Sequence, residues 1–200
     1  MHLEEDMQTI RVFIAVELPP DLRDALGRAQ RTLQAVDAGA ARSVKWADPA
    51  SVHLTLKFLG ETPAAKLEAI GAAMQQAVAG RHALVLSLGA PGCFPTSRQP
   101  RVLWIGVTGE VDALSQLQAA VEATVSPLGF PTETRRFSPH LTLGRVRDGA
   151  APDAAARLGA AIRSLKPIAV SFVVTGISLM RSDLQPAGAV YTRLMEAALT

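Results

Sequence analysis

Two hundred residues with 48% hydrophobic side chains are enough for one domain of ordinary size with a real core, which excludes wholesale disorder. Twenty Lys and Arg against 18 Asp and Glu leave a formal charge of +2, too mild to be a nucleic-acid footprint by itself, and the longest strongly apolar run, residues 168–174, falls far short of the roughly 20 residues that cross a bilayer. A single cysteine, Cys93, can form neither an internal disulfide nor a cysteine zinc cage and fits a reducing compartment.

The first ten residues hold Glu4, Glu5 and Asp6 where a secretory signal needs basic residues and an apolar stretch, so the expectation is a cytoplasmic protein. Residues 11–17 (RVFIAVE), apolar and β-branched ahead of Pro19-Pro20, predict a strand. From Asp21 the spacing of Leu22, Leu26, Ala29, Leu33 and Val36 predicts a helix, with the prolines at its start where they are tolerated. Strands are expected over residues 43–47 and 52–59. Thr62-Pro63 should then cap and begin a helix carrying Leu67, Ile70, Met74 and Val78. After a strand over residues 83–88, the Gly- and Pro-rich residues 89–100 read as a loop between two halves.

The second half repeats the first. Phe13-Ile14-Ala15-Val16 aligns with Trp104-Ile105-Gly106-Val107 at an offset of 91 residues, and His53-Leu54-Thr55-Leu56 recurs unchanged as His140-Leu141-Thr142-Leu143 at an offset of 87. Helices follow, with Val111, Leu114, Leu117, Val121 and Val125 on one and Leu158, Ile162 and Leu165 on the other, then a strand over residues 169–175. Gly176 stands 36 residues after His140, as Gly89 does after His53. A period near 90 residues is too long for a solenoid and implies a duplicated α/β unit, residues 10–90 and 100–176, in two lobes related by a pseudo-two-fold. Residues 177–180 and 189–195, around an Asp-Leu-Gln-Pro-Ala-Gly turn, predict a closing hairpin within 177–196.

On a strand, residues i and i+2 share a face, so His53 with Thr55, and His140 with Thr142, each present an imidazole beside a hydroxyl while the leucines turn to the core. Two such half-sites facing across a groove suit in-line displacement at a phosphodiester. One imidazole takes a proton from the incoming oxygen, the other gives one to the leaving oxygen, and the threonine hydroxyls donate to the non-bridging oxygens. Water suffices as nucleophile and no metal is demanded. A lone strand histidine is ordinarily structural; it is the recurrence of the tetrapeptide within a duplication that reverses the reading.

The stretch VHLTLKFLGE at 52–61 and SPHLTLGR at 138–145 resemble the two-histidine phosphoesterases, specifically the bacterial and archaeal RNA 2′,3′-cyclic phosphodiesterases also called 2′-5′ RNA ligases. RVFIAVELP at 11–19, GCFP at 92–95, RVLWIGV at 101–107 and SLMRSDL at 178–184 extend the likeness over nearly the whole chain. The resemblance implies a bilobal α+β fold in which two antiparallel sheets form a central groove with helices outside. It also implies hydrolysis of the terminal 2′,3′-cyclic phosphate of RNA to a 2′-phosphate, with reversible 2′-5′ ligation when a 5′-hydroxyl replaces water. No cofactor is implied, and no Gly-x-x-x-x-Gly-Lys run is present to cradle ATP phosphates. The expected partner is a single-stranded RNA end bearing the cyclic phosphate, tRNA fragments among them, with no membrane and a monomeric protein.

Carried over by position, His53 is the proton donor, His140 the proton acceptor, and Thr55, Thr142 and Arg145 bind substrate phosphate. Strict alternation puts Arg145 on the face opposite His140, so it reaches the groove only if the strand ends or bulges near Gly144 or its side chain bends back. Phe58 and Trp46 are candidates for stacking on the terminal base, with core packing as the alternative for both. Residues 42–147 hold eleven basic and seven acidic side chains, and Lys57, Arg135, Arg136 and Arg147 are candidates to guide the RNA backbone. Asp148 and Glu133 flank the second motif as possible orienters of an imidazole. Cys93 as nucleophile, and zinc on the histidines with His2 or His82, are weaker readings for want of partners at recognisable spacing. The competing functions are a noncatalytic RNA-end binder, which would not need an acid and a base, and a phosphodiesterase for another cyclic or 2′-5′-linked nucleotide.

Overall fold

A computed structural model describes residues 9–185 and 188–200. His2, the acidic residues at 4–6, and Pro186 and Ala187 of the expected hairpin turn lie outside the described residues. In chain order the elements are β1 (Thr9–Glu17), α1 (Pro20–Val36), α2 (Ala38–Ala41), β2 (Val44–Trp46), β3 (His53–Pro63), α3 (Leu67–Val78) and β4 (Leu84–Pro95). They continue with β5 (Pro100–Gly109), α4 (Val111–Val125), β6 (His140–Val146), α5 (Pro152–Ser164), β7 (Ser171–Val174), β8 (Gly176–Gln185) and β9 (Gly188–Ala198).

The strands form two antiparallel sheets, ordered β3-β1-β8-β9 and β2-β6-β5-β4-β7. This is the α+β architecture with paired sheets that the resemblance implies. β1 is apolar on both faces because it is central, between β3 and β8, and is covered on one side by the core and on the other by Met180 and Tyr191. α1 begins at Pro20, where a missing amide hydrogen costs nothing, and buries Leu22, Leu26, Ala29 and Leu33, whereas Val36 at its end is exposed. α4 buries Leu114, Leu117, Val121 and Val125. One hydrophobic cluster runs from Val12 and Ile14 through Leu54 and Leu86 to Leu141 and Ile177, joining both sheets to the helices.

Two expected boundaries move. Thr62 and Pro63 end β3 instead of opening a helix, because Thr62 is buried opposite Ile10 and a residue before proline favours the extended region; a 3-10 turn, Ala64–Lys66, then leads into α3. The loop expected at 89–100 is strand as far as Pro95. Beyond Ser87, β4 is no longer paired with β7 and only β5 remains beside it, so Pro91 and Pro95 leave no ladder bond unmade on the open side.

The sheets do not follow the two halves of the chain. β4, the end of the first repeat, lies in the second sheet between β5 and β7, while β8, which follows the second repeat, pairs with β1 in the first. The ladders also set the repeats in register: Ala15 stands opposite Thr55, and Trp104 opposite Thr142. In the paired strands Trp104 is therefore the counterpart of Ala15 and not of Phe13, because both ladders run in unbroken register from the histidine to the threonine and the irregularities lie beyond it.

Candidate active site

His53 opens β3 and His140 opens β6. Each ring nitrogen Nδ1 lies at hydrogen-bond distance from a carbonyl two residues back, Ser51 at 2.9 Å and Ser138 at 2.7 Å. A carbonyl oxygen only accepts, so Nδ1 carries the proton in both rings and Nε2 is left to take up or release one. The two half-sites are thus matched in tautomer as well as in sequence. Thr55 and Thr142, half-buried, stand on the same faces as their histidines.

The surroundings differ. Phe13 lies 4.5 Å from the His53 ring and Tyr191 meets it edge-on at 5.0 Å, centroid to centroid. This burial pulls the His53 imidazole below its ordinary value of 6.5, against the opposing pull of the Ser51 carbonyl. His140 instead meets Phe94 edge-on at 5.1 Å, with Trp104 at 6.2 Å. Trp104 lies flat over Gly92 on β4, where any Cβ would run into the indole ring; its Nε1 is buried without a partner among the described residues.

A bulge in each motif strand sets the direction of the residues beyond the threonine. In β6, His140, Thr142 and Arg145 stand opposite Gly106, Trp104 and Val102, which are alternate residues of β5, so all three share one face. The bulge near Gly144 on which Arg145's access depended is present. β3 does the same, with His53, Thr55 and Phe58 opposite Glu17, Ala15 and Phe13. Phe58 is consequently 65% exposed on the histidine face, which removes its core reading and makes it the positional counterpart of Arg145. The bulges also turn two consecutive residues inward, Leu56 with Lys57 and Leu143 with Gly144.

Lys57 is therefore not available to guide RNA. It is 6% exposed, forms a 2.7 Å ion pair with Glu122 of α4, and donates to the Pro131 carbonyl. Glu122 also accepts from the Glu133 amide at 3.3 Å, so the pair ties the first motif strand to the segment that leads into the second.

Helix glutamines brace both bulges. The Gln30 amide on α1, buried, donates to the Leu143 carbonyl at 2.9 Å and the Ala47 carbonyl at 2.7 Å. Gln118 on α4 reaches the Leu56 carbonyl at 3.4 Å. Each motif is held by a helix of the other repeat.

Trp46 falls on the other side of its strand. It pairs with Gly144, packs partly buried against the core and donates Nε1 to the Ala41 carbonyl at 3.1 Å, so it is no stacking platform. Asp148 and Glu133 do not orient an imidazole: they pair with Arg101 and Arg135, and the serine carbonyls fill that role. Glu17, opposite His53, accepts from Ser178 at 2.6 Å and Arg193 at 3.3 Å. Cys93 is half-buried on β4 with its thiol pushed up by burial, and His82 bonds the Thr200 carbonyl at 3.1 Å. Arg135, Arg136 and Arg147 are exposed. Among the described residues no group of three His, Cys, Asp or Glu side chains is placed to hold a metal ion, and no helix is long and apolar enough to cross a membrane.

Phe13, Tyr191, Phe94, the serine carbonyls and the two glutamines were not legible as site residues. One signal was available: the repeat extends backward to Ser51 and Ser138, giving Ser-x-His-Leu-Thr-Leu in both copies.

A family model described as the 2′-5′ RNA ligase superfamily matches residues 18–186. The chain is similar to the RNA 2′,3′-cyclic phosphodiesterase of Methanothermobacter thermautotrophicus, 38% identical over 184 residues covering 92% of this chain and 95% of that protein. It is also similar to the RNA 2′,3′-cyclic phosphodiesterase of Thermus thermophilus, 33% identical over 199 residues covering 95% of this chain and 90% of that protein. Among solved structures it resembles one from Thermus thermophilus, with a TM-score of 0.77, 31% identity and coverage of 95% and 98% of the two chains. Escherichia coli LigT complexed with 3′-AMP gives a TM-score of 0.74 at 26% identity, covering 96% and 99%.

Proposed function

The chain belongs to the 2′-5′ RNA ligase superfamily, and on that premise we propose that it hydrolyses the terminal 2′,3′-cyclic phosphate of RNA to a 2′-phosphate by acid–base catalysis between His53 and His140. The observation that carries this is the matched pair of imidazoles, one per motif strand, each with Nδ1 on a backbone carbonyl and Nε2 without a hydrogen-bond partner among the described residues. His140 takes the proton of the attacking water, and His53 protonates the departing 3′-oxygen. Thr55 and Thr142 donate to the non-bridging oxygens, Arg145 offsets their charge, and Phe58 offers its exposed ring to the terminal base. The reaction draws on no metal, since both proton transfers are supplied by imidazoles. A 5′-hydroxyl in place of water gives 2′-5′ ligation by the same groups. The duplicated-unit reading of residues 10–90 and 100–176 agrees with the matched bulges and the reciprocal glutamines.

Burial disfavours the charged form of His53 in the free protein. The anionic diester, bound beside it, favours the imidazolium that an acid requires. Replacing either histidine by alanine is expected to lower kcat by about 10²–10⁴-fold on the cyclic phosphate. A diester with a p-nitrophenolate leaving group needs no proton there, so His53→Ala should keep a much larger share of its activity on it than His140→Ala. Undiminished turnover of the cyclic phosphate by either variant would overturn the mechanism; the reverse order on the activated diester would exchange the two roles.

A further inference from the structure

We propose that Lys45 and Arg147 extend the Arg145 site into a phosphate track, which receives the RNA strand on the 5′ side of its reacting terminus and makes an oligonucleotide end a better substrate than a nucleoside cyclic phosphate. This rests on the cyclic phosphodiesterase reading above. Arg145 stands directly opposite Lys45 in the β2/β6 ladder, so the two cations share one face of the sheet, the face that also carries His140 and Thr142. Like charges placed directly opposite in a ladder destabilise it unless an anion lies between or above them. Arg147, two residues further along, continues the ladder through its amide N–H, which donates to the Ser43 carbonyl at 2.7 Å, and belongs to the same face by alternation.

All three side chains are exposed, and none makes an ion pair with a carboxylate among the described residues. The carboxylate nearest in sequence, Asp148, turns to Arg101 at 3.4 Å. β2 is the outer strand of its sheet, so the cations run from the histidine toward an open edge. A 2′,3′-cyclic phosphate is by construction a 3′ end, and every further phosphate of the strand lies on its 5′ side. Arg145 and Arg147 are about 6.6 Å apart along the strand, a step that an extended backbone can match with successive phosphates.

The test compares two substrates, a nucleoside 2′,3′-cyclic phosphate and an RNA oligonucleotide ending in the same group, with the protein and its Lys45→Ala/Arg147→Ala variant. On the oligonucleotide the variant should show a rise in KM of about tenfold at low salt with kcat unchanged. The fall of log(1/KM) with log salt should become shallower by about 1.4, two contacts at about 0.7 each. On the nucleoside cyclic phosphate it should match the parent. Equal losses on both substrates, or no change on the oligonucleotide, would overturn the track while leaving the phosphodiesterase reading intact. Failure of the parent protein to turn over either substrate would overturn the reading beneath it.

Discussion

Each of the two motif imidazoles is oriented by the backbone carbonyl two residues behind it and not by a carboxylate. Burial against Phe13 and Tyr191 distinguishes His53 from His140 and has a consequence for stability. The folded value lies below the ordinary 6.5, so above that pH neither folded nor unfolded chain binds the proton. As pH falls below 6.5 the unfolded chain takes it up first, and stability is lost until the folded value is reached. The unfolding free energy of the protein should therefore fall between pH 7 and pH 5 more steeply than that of His53→Gln, measured by denaturant titration. Parallel curves would show that His53 is not desolvated. At this scale His53, Thr55, His140 and Thr142 could be read from the sequence because strand alternation places i and i+2 together. Tyr191 could not, since it reaches His53 from β9, more than a hundred residues away along the chain.

The bulges after the two motifs convert a regular strand into a site. Without the one in β6, Arg145 would point into the core beneath Thr142; without the one in β3, Phe58 would exchange places with Lys57 and an ion pair would open. A bulge has no dependable sequence signature, which is why Lys57 read as a cation open to RNA and why Phe58 was left between base stacking and core packing. The Gln30 amide holds the β6 bulge from below. Gln30→Leu should destabilise the protein by about 1–3 kcal/mol by leaving buried carbonyls short of a donor. It should also raise KM for the cyclic phosphate several-fold through displacement of Arg145. The same loss of stability with an unchanged KM would reduce the brace to a purely structural one. Elements with strong helical periodicity, such as α1 and α4, were legible almost to the residue. The span from Gly89 to Pro95 was not, because proline and glycine on a one-sided strand look like a loop.

Across the whole molecule, both sheets draw on both halves of the chain: β2 and β4 of the first half lie in the second sheet, and the C-terminal hairpin β8–β9 lies in the first. The recurring tetrapeptide was visible in the sequence, but the placement of β2 and β4 in the second sheet was not, because the same spacing fits repeats that fold side by side. One hydrophobic cluster joins the two motif strands, β3 and β6, so the way their sheets pack together is set by residues from both halves of the chain. The proposed in-line acid–base reaction requires two imidazoles held in a fixed relation to one another. The most direct measurement is incubation of the protein, in the presence of EDTA, with an RNA ending in a 2′,3′-cyclic phosphate, followed by identification of the terminal isomer. The account predicts complete conversion to the 2′-phosphate; a 3′-phosphate, or turnover that appears only when a divalent metal is restored, would contradict it.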